Sequence, residues 1–349
     1  MKESRLLEDI RGQDRSLARV LAWQRGEGLG ALLEAGRILR GARKIVVTGI
    51  GASLHAAIPL QYELAGTGFE SSIVESGELL HYQERLCAGA VVVMVSRSGE
   101  SVEVVKLLAR LKGVAAQTIG VTNEASSALA RGVDVAVIVG SLADEMVAVQ
   151  SYTGTVAALL LLAGVVSGEL EARGEELDRV SHGISALVAE QVDRASEWDG
   201  FFRVGSPIYL LGRGPSNASA LEGALLFCET AKEAAVGFAA GSFRHGPVEI
   251  VDQNFRAIVF AAARRARELS LGLARDLVRF GAQVRVVGPL GEDGGGLPFV
   301  EVPEVPECVA PLTDIIPLQV AALRLALVKE LEIGKFRFAP QVTRDEMKF

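Results

Sequence analysis

Val91-Val92-Val93-Met94-Val95 runs directly into Ser96-Arg97-Ser98-Gly99-Glu100-Ser101, and this junction decides how the chain is read. Five consecutive apolar residues, four of them β-branched, specify a strand buried on both faces, as in a parallel sheet. The six residues that follow hold three hydroxyls, one cation and a glycine, and a helical stretch is expected from Val102. A Gly-containing turn between strand and helix offers free backbone N–H groups and the positive end of a helix dipole, which together suit a phosphate monoester. An ordinary strand-to-helix turn with a serine cap would read the same if the stretch stood alone.

Outward from this point the pattern repeats. From Lys44 short β-branched runs alternate with helical stretches: Ile45-Val46-Val47, Ser72-Ile73-Val74, Val91 to Val95, Thr118 to Val121 and Val135 to Val139. Such alternation predicts an α/β fold with a doubly wound parallel sheet, whose ligands bind where strand carboxyl ends meet helix amino ends. The plan then recurs. Val46-Val47-Thr48-Gly49-Ile50-Gly51-Ala52-Ser53 is matched at an offset of 163 by Tyr209-Leu210-Leu211-Gly212-Arg213-Gly214-Pro215-Ser216, and looser matches follow downstream. A duplication of this length predicts two similar domains. The expected division is an N-terminal helical segment over 1–40, a first domain over 41–168, a helical connector over 169–202 and a second domain with its tail over 203–349. The copies differ chemically, because the second has Ala261-Ala262-Ala263-Arg264 where the first has Ser96 to Ser101. The phosphate is expected in the first domain. A dinucleotide reading of the first turn is undercut by Leu54 at the third Gly position, although Glu75 follows the next strand near the expected distance.

Composition narrows the partners. The 349 residues carry a formal charge of −7 with acidic and basic residues interleaved, so neither nucleic acid nor an anionic membrane is an expected partner. The apolar stretch from Val156 to Val166 is shorter than the roughly 20 residues that span a bilayer, and the amino terminus lacks a signal-like apolar region. A soluble cytoplasmic protein is expected. Cys87, Cys228 and Cys308 are odd in number and set among apolar neighbours, which predicts reduced core thiols. No metal or organic cofactor is implied.

Several motifs in order carry a resemblance: Gly-x-Gly-x-Ser after a strand, Ser-x-Ser-Gly-Glu-Ser at 96–101, Thr122-Asn123, Ala220-Leu221-Glu222-Gly223-Ala224-Leu225, Ala239 to Pro247, and Pro317-Leu318-Gln319. From about residue 5 to 345 the chain resembles the tandem sugar-isomerase (SIS) domains, in particular the isomerase half of the glutamine:fructose-6-phosphate aminotransferase family. The resemblance implies two flavodoxin-like domains and a hexose or hexosamine 6-phosphate as ligand. It would set the phosphate against Gly51, Ser53, Ser96, Arg97, Ser98 and Ser101, with Val147 and Ala148 lining the sugar. Glu229 falls where the family carries the acid/base that moves a proton between C1 and C2, and His245 where ring opening is assigned. In relatives that histidine reaches a neighbouring subunit's site, so a homodimer is implied.

The chemistry asks for these residue types independently. Proton transfer between adjacent carbons through an enediol needs one carboxylate above the C1–C2 bond, and ring opening needs a second group that titrates near neutrality, as imidazole does. Glu222, two helical turns before Glu229, is either a second acid or an acceptor for the Gly212-Arg213-Gly214 turn. His55, His81 and His182 read as structural or surface residues. The chain departs from the family where imine-forming lysines stand: Leu226 occupies one position and Pro340 or Gln341 the other, with Lys335 nearby as a possible substitute. No cysteine precedes Cys87, so glutamine hydrolysis is not expected of this chain. Isomerisation and isomerising deamination survive the loss of the lysines. A non-catalytic phosphosugar-binding module, and an aminotransferase served by a separate glutaminase, remain as alternatives.

Overall fold

The computed structural model describes residues 3–203, 205, 207–262, 265–291, 295–338, 340 and 342–348. Ala263, Arg264 and Gln341, on which parts of two sequence readings fall, lie outside the described residues. The chain forms two compact units. A first-sheet unit comprises Arg15–Ala143, Gln150–Arg179 and Phe336–Phe349, and a second-sheet unit comprises Met1–Asp14, Asp144–Val149 and Val180–Lys335.

Three helices open the chain, α1 (Arg5–Arg11), α2 (Gln13–Arg25) and α3 (Leu29–Arg40), with breaks at Gly12 and across Gly26 to Gly28. Ser4 caps α1 by accepting from the Leu7 N–H at 3.3 Å. The first sheet follows as β1 (Ile45–Gly49), α4 (Ala52–Gly66), β2 (Ser71–Glu75), α5 (Ser76–His81), β3 (Val91–Val95), α6 (Val102–Leu111), β4 (Gln117–Thr122), α7 (Ala128–Gly132), β5 (Val135–Ile138) and the closing helix α8 (Gln150–Ser167). Its strands are parallel in the order β2-β1-β3-β4-β5. This is the doubly wound arrangement the alternation predicts. β1 and β3 are buried throughout because helices cover both faces. On α6 the buried residues are Val104, Leu107, Leu108 and Leu111, a helical stripe packed against Val46, Val92 and Met94.

Helices α9 (Leu170–Asp193) and α10 (Asp199–Phe202) lead to the second sheet: β6 (Ile208–Gly212), α11 (Asn217–Ala231), β7 (Ala235–Ala239), α12 (Ala240–Phe243), β8 (Arg256–Phe260), α13 (Arg267–Arg279), β9 (Gln283–Gly288), β10 (Phe299–Glu301) and α14 (Pro311–Val328). Its parallel order, β7-β6-β8-β9-β10, repeats that of the first sheet strand for strand. The equivalence reaches single residues. Gly51 and Gly214, which correspond at the offset of 163, have φ values of +52° and +54°, a conformation that a Cβ strains. Helices α8 and α14 are each 18 residues long and apolar enough to cross a bilayer by length and composition, yet 94% and 83% of their residues are buried as core helices. In the second-sheet unit, Gln13 Nε2 donates to Gln319 Oε1 on α14 at 2.7 Å, which ties the amino-terminal residues to that core.

Candidate functional site

In the first-sheet unit the strand order reverses between β1 and β3, and the crevice outside their carboxyl ends is the switch point where doubly wound sheets bind ligands. Two turns meet there. Gly51 starts α4, which places Ser53 in the first turn, and the Arg97 N–H donates to Ser53 Oγ at 3.2 Å. The 96–101 turn is held from within: Gly99 N–H donates to Ser96 Oγ at 3.1 Å and Glu100 N–H to Ser98 Oγ at 3.2 Å. From outside, Thr122 Oγ1 donates to the Arg97 carbonyl at 3.1 Å, and Glu100 Oε1 accepts from Ala128 N–H at 2.7 Å. Ser53, Ser96 and Ser98 therefore use their oxygens as acceptors toward the turn, which leaves their O–H donors uncommitted by these bonds.

Two groups are left unspent. Ser101 stands at the N-cap position of α6, yet its hydroxyl makes no capping bond. The Arg97 guanidinium has no hydrogen-bond or ion-pair partner among the described residues. A serine cap, the ordinary reading of this turn, is absent. The carboxyl-terminal residues reach the same end of α6, where Val102 N–H donates to the Thr343 carbonyl at 3.0 Å. Glu346 pairs with His81 at 3.0 Å and with Lys106, which holds its carboxyl below the usual range. Glu75 caps α5 by accepting from Glu78 N–H at 2.9 Å, a structural task for the acid that a dinucleotide site would have claimed.

The second-sheet unit carries the remaining candidates. Glu229 is half-buried near the end of α11, and Glu222 on the same helix is 1% exposed. His245 is exposed in the turn after α12, where its N–H donates to the Ser242 carbonyl at 3.0 Å. Val147 is buried and Ala148 half-buried, in the 144–149 segment that is anchored by a bond from Glu145 N–H to Asp9 Oδ2 at 3.2 Å. Burial pushes the Asp9 carboxyl up to about 6, against the pull of that N–H. Gly51, Ser53, Ser96, Arg97, Ser98 and Ser101 thus gather in one unit, and Val147, Ala148, Glu229 and His245 belong to the other.

One sequence reading needs correction. Cys87 and Cys308 are buried thiols, but Cys228 is exposed. Successive helical residues point about 100° apart, so the apolar flanks of Cys228 face the core while it does not. Lys335 is exposed and donates to Glu332 at 2.9 Å, which raises its pKa and keeps the ammonium protonated, the wrong state for attack on a carbonyl. Leu226 is buried in α11.

Sequence reasoning missed Asp314. It is wholly buried on α14 and accepts from Ser216 Oγ at 2.8 Å, while Oδ1 has no partner. Burial pushes its carboxyl up to about 8. Ser216 corresponds to Ser53, so the second copy spends on a carboxyl the hydroxyl that the first copy keeps at its switch point.

A duplicated doubly wound α/β chain with a serine-rich turn at one switch point is the class defined by this geometry. A family model for the SIS domain matches residues 38–165 and again 202–329, and the chain belongs to that family. It is 27% identical over 335 residues to glutamine–fructose-6-phosphate aminotransferase (isomerizing) 1 of Arabidopsis thaliana, covering 92% of this chain and 48% of that one. The chain thus spans about half the length of the curated relatives it matches. Tagatose-6-phosphate ketose/aldose isomerase from Escherichia coli superposes with a TM-score of 0.84 at 21% identity, over 96% of each chain. Glucosamine-6-phosphate deaminase from Thermotoga maritima gives 0.78 at 19% identity, over 97% of this chain and 99% of that one. At these identities the structural likeness is one of fold.

Proposed function

We propose that the chain interconverts the aldose and ketose forms of a hexose or hexosamine 6-phosphate, and that with an amino sugar the same step ends in deamination. The observation that carries this reading is the unspent Ser101 hydroxyl and Arg97 guanidinium at the switch-point cradle. In this reading Ser53, Ser96, Ser98, Ser101 and Arg97 hold the phosphate, with Gly51 allowing close approach, while Val147 and Ala148 line the sugar. His245 moves a proton from the anomeric hydroxyl to the ring oxygen and opens the ring. Glu229 takes the C2 proton of the open aldose and returns it to C1, while a proton passes from the C2 hydroxyl or ammonium to O1, which becomes a hydroxyl. With oxygen on C2 the product is the ketose. With nitrogen on C2 the product is a C2 iminium, to which water adds before ammonia leaves. Glucosamine 6-phosphate and water then give fructose 6-phosphate and ammonia, with no enzymic imine.

The buried Leu226 and the proton-bearing Lys335 support a lysine-independent route over the nitrogen transfer named for the Arabidopsis relative. The exposed position of His245 on a turn supports a homodimer in which this residue serves the cradle of a second copy. The test is a coupled assay for ammonia and fructose 6-phosphate from glucosamine 6-phosphate, with glucose 6-phosphate as a parallel substrate, on wild type and Glu229→Gln. Turnover by wild type that falls roughly 10²- to 10⁴-fold in the variant, with KM little changed, is expected. No turnover of either sugar, with fructose 6-phosphate still raising Tm, would leave the binding module as the reading.

A further inference from the structure

We propose that the second-sheet unit has its own anion site, formed by Arg213 in the turn after β6 and Arg244 in the turn after α12, which takes a phosphate or phosphomonoester. Arg213 occupies the turn that matches the first-sheet Gly-x-Gly-x-Ser turn, at the switch point between β6 and β8. Its guanidinium lies against Gly241, where a Cβ would stand 3.1 Å from Nη1, and this contact brings it to the turn that carries Arg244. Arg213 makes no hydrogen bond or ion pair among the described residues, and its Nε is fully buried without a partner.

A guanidinium carries five donors and is normally buried only against acceptors, because unmet donors in a low-dielectric setting cost their full desolvation. Here the charge that acts on Arg213, besides its burial, is that of another cation. Burial and the charge of Arg244 both push the Arg213 pKa down, and no carboxylate raises it. Among the described residues Arg244 pairs with Asp276 at 3.4 Å, and Asp276 also accepts from Arg279 at 3.0 Å. Glu307 approaches the same turn at Gly214, with Oε1 3.1 Å from where a Cβ would lie, and is the other acid there. An oxyanion with several acceptor oxygens satisfies Arg213 and relieves the repulsion between the two cations in one step. By contrast Arg285, also half-buried in this unit, donates to the Glu197 carbonyl at 3.1 Å and lies over the Phe201 ring, so it needs no ligand.

The site stands independently of the proposed reaction. It is tested by calorimetric titration of the full chain with inorganic phosphate and, separately, with fructose 6-phosphate. Wild type, Arg213→Met, Arg244→Gln and Ser98→Ala/Ser101→Ala are compared. Two phosphates per wild-type chain are expected, one of them weakened roughly 10- to 100-fold by either arginine substitution and the other by the serine pair. Arg213→Met removes a half-buried cation whose Nε is unpartnered, so its Tm without phosphate should equal or exceed that of wild type, which separates lost binding from lost folding. A preference for fructose 6-phosphate at the arginine site identifies a sugar phosphate as ligand, and equal affinity identifies phosphate itself. Unchanged titration in Arg213→Met overturns the proposal. So does loss of both phosphates in every variant, because the arginines then belong to the serine cradle's own site.

Discussion

Replacing Asp314 by Asn should abolish a pH dependence that the wild type carries in its second-sheet unit. Asp314 is wholly buried, accepts one hydrogen bond from Ser216, and has its carboxyl pushed from 3.8 up to about 8. An unfolded chain ionises this group near pH 4, whereas the folded chain holds the proton until about pH 8. The folded state therefore loses about 1.4 kcal/mol of relative stability per pH unit across that window, and nothing further outside it. Between pH 5.5 and 8 the loss is about 3 kcal/mol, allowing for levelling near the folded pKa. For a unit of this size about 2–4 °C of Tm accompanies each kcal/mol, so Tm of the second-sheet transition should fall on the order of 6–12 °C from this group. Asn keeps the acceptor for Ser216 and does not titrate. The quantity to measure is the difference in Tm between Asp314→Asn and wild type by scanning calorimetry from pH 5.5 to 9. Asp9, pushed up to about 6, adds a slope of the same sign at lower pH but cancels in this difference. The difference should grow with pH to about 8 and then level. A flat difference, or one that shrinks as pH rises, refutes the buried-carboxyl reasoning.

Gly99 has φ +62°, and a Cβ there would stand 2.6 Å from Ser127 Cβ and closer still to its Oγ, so Gly99→Ala should cost about 2–4 kcal/mol locally and weaken phosphosugar binding at least tenfold by calorimetry. Ser101→Ala should leave Tm within about 1 °C, since no cap bond is lost, while weakening the same ligand roughly tenfold; a Tm drop with unchanged affinity would return Ser101 to a capping role. Iodoacetamide at pH 8 should label Cys228 alone in the native chain, because it is exposed, whereas burial pushes the Cys87 thiol up to about 11 and Cys308 is also buried; peptide mass mapping reads the result.

The strands, and the serine-rich turn that follows one of them, were legible in the residues because each leaves a local mark. A β-branched run such as Val91 to Val95, bounded by turn residues, fits a strand covered on both faces, and the three hydroxyls beside a glycine mark the turn that follows, although alone they would equally fit an ordinary capped turn. The division into compact units leaves no such mark. It falls between Asp14 and Arg15, inside the continuous α2, where the apolar pattern passes without a break. Asp314 escaped notice for the opposite reason. In Pro311-Leu312-Thr313-Asp314 an acid reads as an ordinary first-turn residue of a helix, and only tertiary packing shows that no solvent reaches it. Thr343 and Glu346 touch α6 and its surroundings across more than two hundred residues of sequence, a separation at which periodicity and spacing are silent.

Duplication supplied two switch points of one geometry, and their donors now differ in kind. Ser53 accepts from a backbone N–H, whereas Ser216 gives its proton to Asp314. Hydroxyl donors act at hydrogen-bond range and demand fit, while a guanidinium pair attracts through a field that salt screens, with a Debye length of about 10 Å at 0.1 M. Raising NaCl from 0.05 to 0.5 M should therefore weaken phosphate at Arg213 and Arg244 more steeply than at the serine cradle, where Arg97 is the one cation of the turn. Calorimetry on Ser98→Ala/Ser101→Ala isolates the arginine site, and Arg213→Met isolates the cradle. Equal salt slopes would mean that charge, and not hydroxyl geometry, holds the phosphate at both ends of the duplication, and the case for a shape-selective cradle in the first copy would fail with it.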